Sequence, residues 1–412
     1  MIKHIIAIAA LSALVVTPAW ADPVRDRIAA DLPGLMAIYR DLHQNPELSE
    51  QEFRSSKIMA AEARKAGFEV TEGVFKTGVV AVLKNGPGPV VMIRADMDAL
   101  PVEEQTGLPY ASKARGKSQA GTESGIMHAC GHDTHMTAWI ATARVMAANR
   151  DKWSGTLIMI GQPAEETIGG AGGMVRDGLM TRWPKPDFVL AIHDSDLPSG
   201  VIGVKSGFAL ANVDSVDITV KGVGGHGAYP HNTKDPIVLA SAIVMRLQTL
   251  ASRENNPLDP VVVTVGSFHA GSKHNIIPDE ARLQLTVRSY TDSSRKLLLD
   301  GIKRIAKAEA EASGLPADKL PVVKIEEPGG RATWNTPELA ERMRKVFTAR
   351  FGAARVIDPP PSMASEDFGD LARAAGPGTQ SLILWVGGRP KEQIDKIKAN
   401  SRQRTGGGQG DD

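Results

Sequence analysis

The chain has one cysteine, Cys130, in 412 residues, so no internal disulfide framework can hold it together. It also lacks a charge surplus: 48 lysines and arginines face 47 aspartates and glutamates, a net charge of +1. A nucleic-acid-binding protein normally carries a basic excess, so composition argues against that class, and it gives no sign of a membrane-surface role. No G-x-S-x-G elbow occurs, which removes support for a serine hydrolase built on that turn. No internal repeat is visible, and low complexity is confined to the last dozen residues. The apolar run at residues 5–16 is too short to span a bilayer, which takes about 20 residues.

That run is better read as a targeting segment. Lys3 and His4 precede it, and Ala19 and Ala21 follow as an A-x-A site. Cleavage is expected after Ala21, which makes 1–21 a signal peptide. The mature protein is then periplasmic or secreted, with no membrane attachment. A lone thiol kept in an oxidising compartment needs protection, and a metal would supply it. The length suggests two or three domains at roughly 150 residues each, and 42% hydrophobic residues suffice for a substantial core.

Two kinds of segment follow. The runs at 89–95, 155–161 and 187–193 are short and apolar, as in strands buried on both faces. A helical spacing covers 134–148, so this part reads as α/β with a largely parallel sheet. Asp96 and Asp98 follow the first strand, Glu165 and Glu166 the second, and His193 closes the third. Ligands in open α/β sheets bind at the carboxyl ends of strands, so these groups are expected at one edge. From about Phe208 the pattern changes. Strand 216–222, helix 235–252, strands 261–268 and 281–290, helix 293–312 and strand 322–327 give β-α-β-β-α-β, the ferredoxin-like order. We read 208–328 as an inserted domain and 22–207 with 329–398 as the domain it interrupts.

"GIMHACGHDTHMTA" (125–138) places His128, Cys130, His132 and His135 within eight positions. Cysteine and histidine are common ligands for borderline-soft metals. In "GQPAEETIGG" the two glutamates are adjacent, and neighbouring side chains in a helix or strand point apart. One ligand and one general base is the division this predicts, since a carboxylate can take the proton of an attacking water. His193 lies on the same edge. "KGVGGHGAYPH" contains Gly222-x-Gly224-x-x-Gly227, but Pro230 and the polar segment after it do not open a helix, so a dinucleotide site is rejected. Its glycines instead let backbone approach a ligand or a domain joint beside His226 and His231. Arg288 has the chemistry to bind a carboxylate through paired hydrogen bonds, and Asn275 lies in the same inserted domain.

The segments "RADMDALP", "MHACGHDTHMT", "GQPAEE", "GGHGAYPH", "NIIPDEA" and "ASEDFG", in this order, resemble the M20 metallopeptidase family. The likeness runs from about Asp41 to Gly388 and is strongest to the amidohydrolase branch, which holds hippurate hydrolase, N-acyl-amino-acid amidohydrolases and indole-acetyl-amino-acid hydrolases. It implies a zinc-peptidase-like catalytic domain with an inserted ferredoxin-like lid that also dimerises. It implies two divalent ions (zinc, manganese, cobalt or nickel) and hydrolysis of N-acyl amino acids or small peptides with a free carboxylate. By the resemblance, Cys130, His132, Glu166 and His193 match metal ligands and Glu165 the general base. Asp98 matches the aspartate that orients the site. His226 matches the lid histidine that polarises the scissile carbonyl, and Asn275 and Arg288 the contacts to the substrate carboxylate. Two departures stand out. Asp96 occupies a position that is histidine in distant branches. The family's last metal-binding histidine is also expected beyond "SLILWVGG", yet no histidine follows His274 and the tail at 399–412 resembles nothing in the family. The alternative expectation is therefore an impaired or non-catalytic binding protein of the same fold.

Overall fold

Short aliphatic runs build an eight-stranded sheet in the computed structural model, which describes residues 22–119, 121–327 and 329–396. The signal segment and the tail at 399–412 lie outside the described residues. The sheet runs in the order Glu69–Val74, Gly78–Asn85, Gly155–Gln162, Val90–Asp96, Phe188–Pro198, Gln380–Arg389, Ile202–Gly203, Val356–Ile357. Its four central strands, from Gly155–Gln162 to Gln380–Arg389, are parallel. The first two strands form an antiparallel hairpin, and the second also pairs antiparallel with Gly155–Gln162. The sheet is thus mixed rather than largely parallel. The hairpin turn, with Phe75 and Lys76 at φ 50° and 64°, has no glycine or asparagine at those two positions to announce it.

Apolar layers cover both faces. Helix His132–Ala148 buries Met136, Trp139, Ile140 and Ala143, a spacing of three and four that lays one stripe on the sheet. Met174, Leu179, Phe368 and Leu371 cover the other face. Fully buried residues such as Ile158 and Ile160 contribute roughly 1.5–3 kcal/mol each. Because the central strands are parallel, Asp96, Gln162 and the segment after His193 emerge at a common edge. Strand Phe188–Pro198 runs five residues past His193, held by Gln380–Arg389 alongside. His193 therefore sits within this strand instead of closing it.

The inserted segment forms a four-stranded antiparallel sheet in the order Val261–Ala270, Glu280–Ser289, Asn212–Lys221, Val322–Ile325. This is the ferredoxin-like arrangement. Val216, Ile218 and Val220 alternate inward and share one core with Ile243 and Leu247 of helix Pro236–Thr249, and with Leu298 and Ile302 of helix Asp292–Ala312. Asp235 and Thr291 cap those helices through their side chains. The chain enters this domain through Gly207–Leu210 and leaves through Thr333–Asn335, and these two strands pair with each other. No helix among the described residues is long and apolar enough to cross a membrane.

Candidate metal centre

The stretch around Cys130 turns sharply into a helix at Gly131, whose φ of 78° is left-handed. A Cβ there would lie 2.3 Å from Asp194 Oδ2, so glycine is required both for the turn and for the close approach. The turn carries Cys130 and His132 to the strand edge. His132 Nδ1 lies 2.7 Å from the carbonyl oxygen of Asp98, which can only accept, so Nδ1 donates. The lone pair is thereby fixed on Nε2, which is buried and has no hydrogen-bond partner. His193 repeats the device. Its Nδ1 donates to the Asp194 carbonyl at 2.7 Å, and its Nε2 faces Cys130 Sγ at 3.9 Å.

Around His132 Nε2 lie Asp96 Oδ2 at 3.6 Å and one oxygen each of Glu165 and Glu166 at 3.8 Å. Glu166 Oε1 is also buried without a partner. Among the described residues five sets of donors each fall within 4.8 Å of one another, and two of them carry the orphaned His132 Nε2 together with the predicted ligands: Cys130, His132 and His193, and His132, Glu165 and Glu166. Orphaned lone pairs on an imidazole and a carboxylate, with a thiol beside them, suit zinc and its neighbours. The residues present therefore fit a metal.

The two glutamates do not point apart as expected. They lie in a turn after strand Gly155–Gln162, with Ala164 at φ 53° and Ile168 at φ 55°, so neither helix nor strand alternation applies. Asp98 builds this turn. Its carboxylate accepts from Glu165 N at 3.1 Å, Glu166 N at 3.0 Å and Ser49 Oγ at 2.6 Å. Glu52, fully buried, accepts from Ala164 N at 2.9 Å. What distinguishes the pair is what lies behind each. Glu165 forms a cluster with Asp96 and Glu366, whereas Glu166 faces Cys130.

Charge follows this packing. Burial, then the Glu366 carboxylate, raises the Glu165 carboxyl well above the usual range. Burial pushes Glu166 up to about 7 and raises the Cys130 thiol. Burial, with His135 beside it, lowers His193. Burial pulls His132 down as well, but the carboxylates of Asp96 and Asp98 outweigh it and hold the imidazole well above its ordinary value. The same negative field would attract a cation. Beneath it, buried Arg94 reaches Asp96 at 2.5 Å, Glu366 at 2.5 Å and Asp367 at 3.4 Å, one positive charge among three carboxylates.

Several participants carry little sequence signal. His135 bridges two strand edges: its Nδ1 lies 2.6 Å from Asp96 Oδ1, and its Nε2 lies 2.9 Å from the Asp194 N–H and 3.1 Å from Asp194 Oδ1. Both ring nitrogens are engaged, and the residue belongs to the histidine-rich stretch at 125–138. His43 is held between Asp133 at 2.6 Å and Glu104 at 3.1 Å, which ties the loop after Asp98 to the helix start. His128 joins none of the donor clusters found among the described residues. Burial drops it to about 4, so it is neutral.

The inserted-domain residues stand apart from these clusters. His226 lies on the short strand Gly225–His226, paired with Ile276–Ile277, and its Nδ1 accepts from Ala228 N at 3.1 Å. Asn275 is next to that strand, its Oδ1 buried and unpartnered. Arg288 donates to Ser365 Oγ at 3.0 Å and to the Met363 carbonyl at 3.3 Å, so it joins the inserted domain to the loop that carries Glu366.

Residues 92–400 match the model of peptidase family M20/M25/M40. The chain is 38% identical to thermostable carboxypeptidase 2 of Saccharolobus solfataricus over 364 residues, 87% of each chain. It is also 38% identical to hippurate hydrolase of Campylobacter jejuni, covering 82% of this chain and 85% of that one. A Bacillus subtilis structure described as a dinuclear metal-binding peptidase of the M20 family superposes with a TM-score of 0.71 and 32% identity, covering 87% of this chain and 89% of that one.

Proposed function

The chain belongs to peptidase family M20/M25/M40 and is a metal-dependent hydrolase of amide bonds; on that premise we propose that it cleaves N-acyl amino acids, or small peptides, that carry a free carboxylate. The observation that supports this best is the pair of imidazoles with Nε2 lone pairs set toward Cys130 and the two glutamates. Cys130, His132, Glu166 and His193 would hold two divalent ions. When bound, such ions supply Lewis-acid polarisation and lower the pKa of water to about 7.

The remaining steps belong to the protein. Glu165 takes a proton from the attacking water and returns it to the leaving amine. Glu366 and burial keep its proton affinity high enough for both tasks. Asp98 fixes the turn that presents Glu165 and, through its carbonyl, the tautomer of His132. From the inserted domain, His226 donates a hydrogen bond to the developing oxyanion. Asn275 binds the substrate carboxylate through Nδ2, and Arg288 adds positive charge beside it while tying the two domains together. The edge strand Val261–Ala270 offers a surface for a homodimer.

The experiment is turnover of N-acetyl and N-benzoyl amino acids beside the same compounds with an amidated carboxylate, in excess zinc, manganese, cobalt or nickel. The free acids should be cleaved at least about tenfold faster. Equal rates would remove the carboxylate requirement. Binding without cleavage under any metal would favour the non-catalytic reading.

A further inference from the structure

Glu52 carries a fully buried carboxyl group that the reaction steps above do not use. It stands at the N-cap of helix Phe53–Lys65, yet its side chain makes no bond to that helix. Glu47 caps the helix instead, accepting from Arg54 N at 2.9 Å and from Ser55 N at 2.8 Å. The Glu52 side chain is committed elsewhere. Its Oε1 accepts from Ala164 N at 2.9 Å and from Glu50 N at 2.8 Å, and its Oε2 accepts from Thr77 Oγ1 at 2.5 Å. Ala164 and Glu50 are both non-glycine residues in the left-handed region, with φ of 53° and 66°. Such a backbone is sparsely populated and persists only where its surroundings impose it.

A second support reaches the same turn from the hairpin of the first two strands. A Cβ on Gly78 would lie 3.3 Å from Pro163 Cδ, so the hairpin packs directly on the residue before Ala164. A Cβ on Gly173, in the short helix after the turn, would lie 2.4 Å from the Phe75 ring. Phe75 N also donates to Asp177 Oδ2 at 2.7 Å. Thr77 therefore reaches Glu52 from a fixed base. Asp98 holds the next two amides, Glu165 N and Glu166 N. Two buried carboxyl groups thus capture three successive amides, Ala164 to Glu166. Without Glu52 the left-handed first residue of that run would be free to relax, and the side chain that follows it would turn.

We propose that Glu52 is a positioning residue: by imposing the left-handed backbone at Ala164 it aims the Glu165 carboxylate at the metal centre, and Thr77 orients Glu52 in turn. Its effect on rate rests on the amidohydrolase reading above, whereas its effect on the turn can be measured without metal or substrate. The position requires an acceptor of this length rather than a charge. Burial, then the Asp98 carboxylate, pushes the Glu52 carboxyl up to about 7. Glutamine offers the same acceptor to Ala164 N, and its amide can donate to Thr77 Oγ1.

Amide hydrogen exchange across residues 164–168 of the metal-free full chain reads the turn. Glu52→Leu leaves the Ala164 amide without its acceptor, so exchange in this segment should speed about tenfold or more while the central strands keep their rates. Glu52→Gln should leave it unchanged. Thr77→Val, which keeps the Ala164 bond, should give a smaller rise at the same place and carries the test if Glu52→Leu does not fold. With metal in excess and N-benzoylglycine as substrate, Glu52→Leu should lose about 100-fold in kcat with little change in KM, as expected of a misplaced catalytic group. Glu52→Gln should keep most of the kcat. Unchanged exchange in both Glu52→Leu and Thr77→Val, or exchange that speeds equally in the central strands, overturns the proposal. So does Glu52→Gln behaving as Glu52→Leu, or a loosened turn with full kcat. If the unsubstituted chain cleaves nothing, the amidohydrolase reading fails, and exchange alone decides whether Glu52 holds the turn.

Discussion

Replacing Glu165 or Glu166 by glutamine, one at a time, separates two roles that distance alone does not. Both carboxylates lie 3.8 Å from His132 Nε2. Glutamine preserves shape at either position but cannot accept a proton. At Glu165 this removes the general base, a loss of roughly 100- to 10,000-fold, or about 2.7–5.4 kcal/mol on the barrier. Metal should stay bound, because Cys130, His132, Glu166 and His193 remain. Stability should hold or rise. A carboxyl whose folded pKa lies above its unfolded value costs stability at every pH above that unfolded value, and burial with Glu366 puts Glu165 in that class. Glu166→Gln removes a donor that faces Cys130 and should weaken metal binding by roughly 10- to 100-fold or more. Amine release, metal counting after dialysis and thermal melting on the two variants decide the matter. Equal metal loss in both would refute the division of labour.

Three further outcomes follow from the geometry. Gly131→Ala forces a Cβ to within 2.3 Å of Asp194 Oδ2 at φ 78°, so it should cost on the order of 1–3 kcal/mol and weaken metal affinity through His193; unchanged melting and affinity would contradict this. The hydrogen bond to Asp133, aided by Glu104, raises the pKa of His43 against the pull of burial. The stability this contributes is complete below its unfolded value of about 6.5 and is lost as pH rises through the folded value. The melting gap between wild type and His43→Gln should therefore narrow as pH rises above about 6.5, and a widening gap would reverse the assignment. His226→Ala should lower kcat while leaving metal content intact; if the histidine acts across a dimer, mixing with Glu165→Gln chains should restore part of the activity.

The sequence was most legible where one element carries its own pattern. The central strands, the helix after Gly131 and the ferredoxin-like insertion all follow from local periodicity, within a few residues at their ends. Chemistry at strand ends was legible for the same reason, since parallel strands deliver Asp96, Glu165 and His193 to one edge. What was not legible depends on contacts between distant segments. Arg94 meets Glu366 across 272 positions, and Glu52 meets Ala164 across 112, with no local periodicity to announce either. The convergence of Glu165 and Glu166 depends on a left-handed Ala164, a residue type that gives no hint of that conformation. The antiparallel hairpin at one end of the sheet was hidden for a like reason, its turn residues being Phe75 and Lys76.

The central claim is that Cys130, His132, Glu166 and His193 hold metal that hydrolysis requires. Its most direct measurement follows metal content and N-benzoylglycine cleavage together through stepwise chelation and metal return. The account predicts that activity falls as metal leaves, recovers as zinc, manganese, cobalt or nickel is restored, and does not recover in Cys130→Ala or His132→Ala protein. Cleavage that persists after the metal is gone, or full recovery in both variants, would contradict it.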